Sequence, residues 1–316
     1  MEQALYHPEH GYYSSDRAVI GRGGDYFTNI SVGPLFGELL AAQFAEIWRL
    51  LDSIDDFVIV EQGAHHGELA QDVLEATRRR FPEFFAALRY QIVEPFPKLQ
   101  DRQLDTLRQF RERVQWRKSL DELEPFAGIH FSNELLDSMP INLRNKVVDL
   151  VGDKFVLVDS PDEQATNQLQ LDWIANVARK LTRGFVLAID YGFPRTEFHE
   201  VVQVRAKHRE LDSPFEQIGE ADITAHINWT DIAEAAEKNG LRLIGFTDQH
   251  HFLTGLISSF PEIVADEKSK RALQTLLHPE MLGRAFQVLA LAKDVDPSAP
   301  LRGFKFARNG REALGL

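Results

Sequence analysis

The chain has 316 residues, with 48 acidic against 35 basic side chains and a formal net charge of -13 at pH 7. That length fits one large domain or two small ones, and the charge argues against nonspecific nucleic-acid binding while favouring a basic protein segment as partner. Cysteine is absent, which excludes disulfides, thiolate zinc sites and cysteine nucleophiles. The lack of cysteine is compatible with a cytoplasmic protein, the location expected here. No run is long enough to cross a bilayer, and the start resembles neither a secretory signal nor a transit peptide. Neither a membrane nor a nucleic acid is expected as partner.

Residues 1–33 are rich in Gly, Tyr, His and Asp and read as an irregular arm. Over residues 35–51, Leu35, Phe36, Leu39, Leu40, Phe44, Ile47, Trp48 and Leu51 recur at helical spacing. Residues 57–62 read as a first strand, 68–80 as a helix, 89–94 as a second strand and 97–112 as a charged helix. Short strand three covers 114–116, and strand four runs over 128–134. Residues 144–159 alternate about a turn at Gly152-Asp153, the pattern of a β-hairpin. A helix follows over 171–181. Strand five, 184–192, is apolar throughout and therefore buried on both faces.

Residues 193–222 are polar and read as irregular, longer than loops usually run. Thr230 is placed to cap a helix over 231–239 that Gly240 ends. Strand six covers 241–246, residues 250–278 read as mostly helical, and 286–292 form a last strand. Alternating strands and helices imply an α/β fold with a mostly parallel, doubly wound sheet. The expected organisation is a single domain over 1–316, with an arm and helix over 1–52 and a largely helical insertion over 193–285.

Four groups of residues could carry chemistry. At 61–67 an apolar strand ends in Glu61, and a turn with Gly63, His65 and Gly67 leads into a helix. Such strand–turn–helix units let backbone approach a nucleotide-like ligand. Glu94 ends the next strand, and a carboxylate can accept from both ribose hydroxyls. Asn133, Glu134 and Asp137 lie just past strand four, where open α/β sheets bind ligands. Carboxylates there can orient a cationic acceptor and take its proton. In Asp222-Ile223-Thr224-Ala225-His226, the histidine could serve as a base or orient a substrate. The pairs His65-His66 and His250-His251 lack the spacing of a zinc site, and no metal is expected. The aromatic, glycine-rich arm could lid a cofactor, with Gly24, Asp25 and Thr28 against it, or could staple itself to the domain.

Together these segments resemble the MidA-type S-adenosylmethionine-dependent methyltransferase family, to which the mitochondrial complex I assembly methyltransferase belongs. The matching pieces are Leu5-Tyr6-His7-Pro8-Glu9-His10-Gly11-Tyr12-Tyr13, Gly24-Asp25-Tyr26-Phe27-Thr28, Val60-Glu61, Val93-Glu94-Pro95 and Ser132-Asn133-Glu134-Leu135-Leu136-Asp137-Ser138-Met139-Pro140. They continue through Ile189-Asp190-Tyr191-Gly192, Asp222 to Ile227, and Met281 to Ala290. The resemblance implies a class I, Rossmann-like methyltransferase fold and S-adenosylmethionine as cofactor, with S-adenosylhomocysteine as product. It implies a protein substrate methylated on arginine. Glu61, Gly63, His65 and Gly67 would frame the methionine end and Glu94 the ribose; Asn133, counted with the cofactor residues, would also face the acceptor, and Asp222 and His226 would close the site. Glu134, Asp137 and His226 would be catalytic.

Some positions depart from the family pattern. The family's middle turn glycine is His65 here, and the acid usually found after the Gly-Asp-Phe-x-Thr piece is missing from Asn29-Ile30-Ser31. The match begins partway into the family's N-terminal helix, so the natural start is expected upstream of Met1. A rival reading is therefore an assembly or scaffold protein that keeps the fold without transferring methyl groups. A nicotinamide-dependent oxidoreductase is a third reading, weakened by the glycine spacing.

Overall fold

In the computed structural model, residues 1–14, 28–161, 167–207, 209–295 and 300–316 are described. After a short helix α1 (Glu2–Tyr6) and helix α2 (Leu35–Leu50), β1 (Phe57–Gln62) leads into α3 (Glu68–Arg80) and α4 (Pro82–Ala87). Then come β2 (Leu88–Val93), α5 (Pro97–Thr106), β3 (Val114–Arg117) and β4 (Phe126–Asn133). A hairpin of β5 (Lys146–Val151) and β6 (Lys154–Asp159) precedes α6 (Gln168–Lys180) and the long β7 (Leu181–Phe193). The chain continues with β8 (Val202–Ala206), β9 (Arg209–Glu210), β10 (Asp222–Ala225), β11 (Ile227–Asn228), α7 (Trp229–Lys238) and β12 (Arg242–Asp248). Helices α8 (Gln249–Ser259) and α9 (Glu267–Leu277), β13 (Phe286–Lys293) and α10 (Gly310–Leu314) complete it.

The central sheet runs β12-β13-β7-β4-β1-β2-β3, with β11 pairing onto the end of β7. Strands β3, β2, β1, β4 and β7 pair in parallel. Strand β13 lies antiparallel between β7 and β12. The order reverses between β1 and β4, so the carboxyl ends of these strands flank a crevice. Along β1 the side chains alternate. Phe57 and Ile59 enter the core formed with α2, α3, α8 and α9, and Val58 and Val60 enter the one formed with α6 and α7. This is the class I methyltransferase arrangement expected of the sequence.

The segment after β7 differs from the expected single helical insertion. Residues 202–225 contain a small antiparallel sheet, β10-β8-β9, in the stretch read as irregular. Helix α7 and β12 belong to the central fold, and α8 and α9 form a separate helical excursion before β13. The small sheet escaped notice because its strands are two to five residues long, too short for a period to register. Its apolar face packs against the arm, where Ala4, Leu5, Tyr12, Val204, Ala206, Ala221 and Ile223 form a third, separate core. Helix α7 is capped by the Asn228 side chain, which accepts from the Asp231 amide. Thr230 instead donates its hydroxyl to the Leu314 carbonyl.

Candidate active site

The carboxyl ends of β1, β2 and β4 open onto a cavity of about 720 Å3. The expected residues Thr28, Gly63, His65, Glu94, Asn133 and Glu134 line it. Gly24 and Asp25 lie outside the described residues. Glu61 and Gly67 are not part of the cavity wall. The Glu61 carboxylate is buried in the core and accepts from the Tyr90 hydroxyl at 2.8 Å. Burial raises its pKa to about 7.

The turn after β1 needs three left-handed residues. Gly63 has φ 86°, His65 φ 47° and Gly67 φ 87°. A side chain in this region is strained, so His65 occupies a place that favours glycine. Its ring stacks on His66 at 3.7 Å between centroids. Its carbonyl accepts from Gln103 Nε2 at 2.7 Å. Ligand atoms of His65, His66 and Glu68 lie within 4.8 Å of one another. His66 Nε2 is also 2.6 Å from the Arg102 guanidinium, and the cluster sits at the positive end of α3, two features that oppose a cation.

Glu94 is held in place from several sides. One carboxylate oxygen accepts from the Phe96 amide at 3.0 Å, the other from Gln103 Nε2 at 3.1 Å. Gln103 in turn accepts from Trp116 Nε1 at 2.9 Å. Burial raises the Glu94 pKa to about 7. A buried carboxylate fixed at a strand end, facing the cavity, is well suited to accept hydrogen bonds from a diol.

A smaller chamber of about 250 Å3 adjoins the cavity and shares Tyr13 and Glu134 with it. The three expected catalytic residues, Glu134, Asp137 and His226, all line this chamber, as does Asp222. Glu134 has φ 52°. Asn133 Nδ2 donates to its Oε1 at 2.9 Å, and Asn29 Nδ2 donates to Asn133 Oδ1 at 3.2 Å. Burial, then Asp190 and Asp222, push Glu134 up to about 8. Asp137 is raised well above the ordinary carboxylate range by burial and by Asp190, Asp222 and Glu134. Burial, then Arg205, lower the His226 pKa, so its ring is neutral near pH 7. Among the described residues, no basic side chain forms an ion pair with Glu134 or Asp137.

Three residues in the site figure in the sequence reading only as parts of longer matching segments, with no role of their own. Asp190, at the end of β7, is 1% exposed. Its Oδ2 accepts from the Leu136 amide at 2.7 Å and the Asp137 amide at 3.3 Å, and Oδ1 accepts from the Tyr191 amide at 2.8 Å. It therefore shapes the loop that carries Asp137. From the arm, the Tyr6 hydroxyl bonds to the Ser138 carbonyl and hydroxyl, both at 3.0 Å. The Tyr6 ring lies parallel to Phe96, with centroids 6.0 Å apart. Tyr13 bonds to Asp222 at 2.6 Å. The arm is thus stapled at the boundary between the two chambers by Tyr6 and Tyr13, and Tyr13 lines both of them.

Sheet order, glycine turn and acid-ended second strand define a class I methyltransferase. The family model described as "Putative S-adenosyl-L-methionine-dependent methyltransferase" matches residues 39–171 and 159–247. The chain belongs to this family, the MidA-type S-adenosylmethionine-dependent methyltransferases, and is an enzyme that uses S-adenosylmethionine. The human protein arginine methyltransferase NDUFAF7, mitochondrial, is 24% identical, covering 99% of this chain and 82% of its own. The Drosophila melanogaster homologue is 24% identical, covering 92% and 80%. A crystal structure from Burkholderia thailandensis, bound to S-adenosyl-homocysteine, matches with a TM-score of 0.84 and 28% identity. That match covers 98% of this chain and 90% of the other. The residues present fit the cofactor. The cavity has room for a nucleoside joined to an amino acid, and its acceptor at Glu94 suits ribose hydroxyls.

Proposed function

We propose that this enzyme methylates an arginine side chain of a protein substrate. The carrying observation is the small chamber walled by Glu134, Asp137 and Asp222 beside the cofactor cavity. Carboxylates gathered there raise one another's pKa, so a cation placed among them relieves the repulsion. A guanidinium is planar, permanently charged and able to donate to two carboxylates at once. Arg205 also lines the chamber, but it is solvent-exposed and donates to Gln203 Oε1 at 3.0 Å. The names of the human and fly relatives support the same acceptor.

When bound, S-adenosylmethionine supplies an electrophilic methyl group on a sulfonium. In this reading Glu134 and Asp137 hold the guanidinium, orient one nitrogen toward the main cavity and exclude water. As that nitrogen would form its bond to the methyl carbon, the carbon–sulfur bond would break with its electron pair going to sulfur, leaving S-adenosylhomocysteine, and a carboxylate of the pair would accept the nitrogen's proton. His226 flanks the chamber and orients the acceptor as a neutral ring. A cytoplasmic site of action belongs to the same proposal, and the cysteine-free composition is compatible with it; cell fractionation with an antibody to the protein tests it.

The test is transfer of tritiated methyl from S-adenosylmethionine into extract from cells lacking the gene. Label recovered as methylarginine after acid hydrolysis, lost with Asp137→Asn, supports the proposal. Label in lysine or in small molecules alone overturns it.

A further inference from the structure

The hairpin β5–β6 stands out from the rest of the surface. Every residue of β5 is exposed. On one face the cross-strand pairs Val148–Leu157 and Leu150–Phe155 form an apolar patch. Their exposures are 58%, 38%, 58% and 49%. A two-stranded hairpin is marginal by itself in water, and four contiguous exposed apolar side chains mark an interaction site.

Its position indicates the partner. The hairpin follows directly from the loop that carries Glu134 and Asp137. At its base the Arg144 amide donates to Glu200 at 3.0 Å. Glu200 lines a small recess with Ile141, Phe198, Val201 and His226. His226 also lines the acidic chamber. Phe155 packs against Phe215, with ring centroids 6.0 Å apart, in the segment between β9 and β10. Surface therefore continues from the chamber, across His226 and an apolar recess, to the hairpin. Two copies of a chain with net charge -13 repel one another, whereas a basic segment is drawn to the acidic chamber.

We propose that the β5–β6 hairpin docks the protein substrate, taking an extended aliphatic segment that flanks the arginine held in the acidic chamber. This rests on the arginine reading and extends it to the sequence around the acceptor. The segment lies on the patch or adds a strand to a hairpin edge that is unpaired among the described residues, with main-chain hydrogen bonds supplying affinity and alternate side chains supplying selectivity. Substrates would then be chosen by an aliphatic flank, not by the arginine alone.

The test uses fluorescent peptides of about fifteen residues, a length of roughly 50 Å when extended. One has a central arginine and a Val/Ile/Leu flank, one has a Ser/Gly flank, and one keeps the aliphatic flank with alanine replacing arginine. Anisotropy is measured with saturating S-adenosylhomocysteine. The expected result is at least about tenfold tighter binding of the aliphatic-flank peptide than the Ser/Gly one, equivalent to about 1.4 kcal/mol. Val148→Ser/Leu150→Ser/Leu157→Ser erases that difference and leaves S-adenosylhomocysteine affinity, read by calorimetry, unchanged. Equal binding of the two arginine peptides to the unaltered protein overturns the proposal. So does a dimer in sedimentation velocity that the triple variant converts to monomer, because a second copy then covers the patch. Hairpin-dependent binding of the aliphatic peptides without methyl transfer to arginine supports docking and sinks the arginine reading instead.

Discussion

The Tyr13 hydroxyl donates to Asp222 Oδ1 at 2.6 Å across 209 positions of sequence. The bond ties the arm to the small sheet where the cofactor cavity meets the acidic chamber, both of which Tyr13 lines. Tyr13→Phe keeps the ring and deletes the bond. Loss of a hydrogen bond to a charged group costs about 1.5–3 kcal/mol. Turnover should fall by about tenfold or more, while S-adenosylhomocysteine affinity changes little. A loss of affinity matching the loss of turnover would place Tyr13 with the cofactor instead.

Glu94 should decide cofactor affinity. Glu94→Ala removes the acceptor and leaves Gln103 Nε2 and the Phe96 amide without that partner. The expected loss in S-adenosylhomocysteine binding is about 1–3 kcal/mol, read by calorimetry. Gln103→Ala should lose less, since Glu94 keeps its bond to Phe96. Unchanged affinity in Glu94→Ala would falsify the ribose assignment.

Legibility in the sequence followed the range over which each signal acts. The strands β1, β2, β4 and β7 and helix α2 announce themselves through apolar runs or helical periodicity within one element. Glu94 follows the end of β2 and Asp137 lies in the loop after β4, on the side of the sheet where topology alone makes a ligand site. Asp190 was hidden because its role depends on amides brought to it from 53 and 54 positions away. Gln103 lies on a charged helix, and nothing local marks it as the residue that fixes Glu94. The small sheet is held to the arm by a core shared between distant segments, which no local period reports. Glu61 shows the opposite failure. A strand-end acid looked like a ligand, yet its carboxylate is turned into the core and bonded to Tyr90.

Asp190 is a positioning residue, and the chemistry of its replacement follows from its donors. Asp190→Asn keeps the volume but replaces one acceptor oxygen with a donor, which then faces backbone N–H groups. The loop carrying Glu134 and Asp137 should lose its fixed geometry. Turnover is expected to fall by about 100-fold, the scale set by misplacement of about 1 Å in an active site, with S-adenosylhomocysteine affinity kept within about threefold. A second readout separates positioning from general destabilisation. Asp190 raises the pKa of Glu134 and Asp137, so the acidic limb of the pH–rate profile should move to lower pH. Lost turnover with an unmoved limb would leave Asp190 merely structural.

Stability should depend on pH with a defined sign. Glu134 is raised to about 8, and Glu61, Glu94 and Asp190 to about 7, each first by burial. Burial lowers His65 and His130 to about 3. A raised carboxylate binds more protons folded than unfolded, so stability falls as pH climbs from the unfolded to the folded pKa. The buried histidines act oppositely, gaining stability as pH rises toward their unfolded value near 6.5. Below that value the two groups compete, whereas between pH 6.5 and 8 the several raised carboxylates outweigh the Met1 amino group, whose pKa burial lowers and which acts the other way. The Tm of the cofactor-free enzyme should therefore fall over that upper window, and Glu134→Gln should reduce the slope. A Tm that rises from pH 6.5 to 8 would contradict these assignments.

His65 occupies the one left-handed position of the turn that is not glycine, and its backbone does the connecting. The bond to Gln103 uses the His65 carbonyl, so glycine at 65 keeps the link to Glu94. A left-handed conformation costs a residue with a side chain roughly 1–2 kcal/mol, and glycine's greater freedom when unfolded takes back about 0.5–1 kcal/mol. His65→Gly should therefore leave Tm unchanged or slightly raised, despite losing the stack on His66. It also clears space at the cavity wall, so S-adenosylhomocysteine should bind as tightly as before or more tightly. Calorimetry decides the point. A loss of more than about tenfold, or about 1.4 kcal/mol, would mean that the imidazole itself holds the cofactor and that the substitution for glycine is a gain in binding, not a tolerated strain.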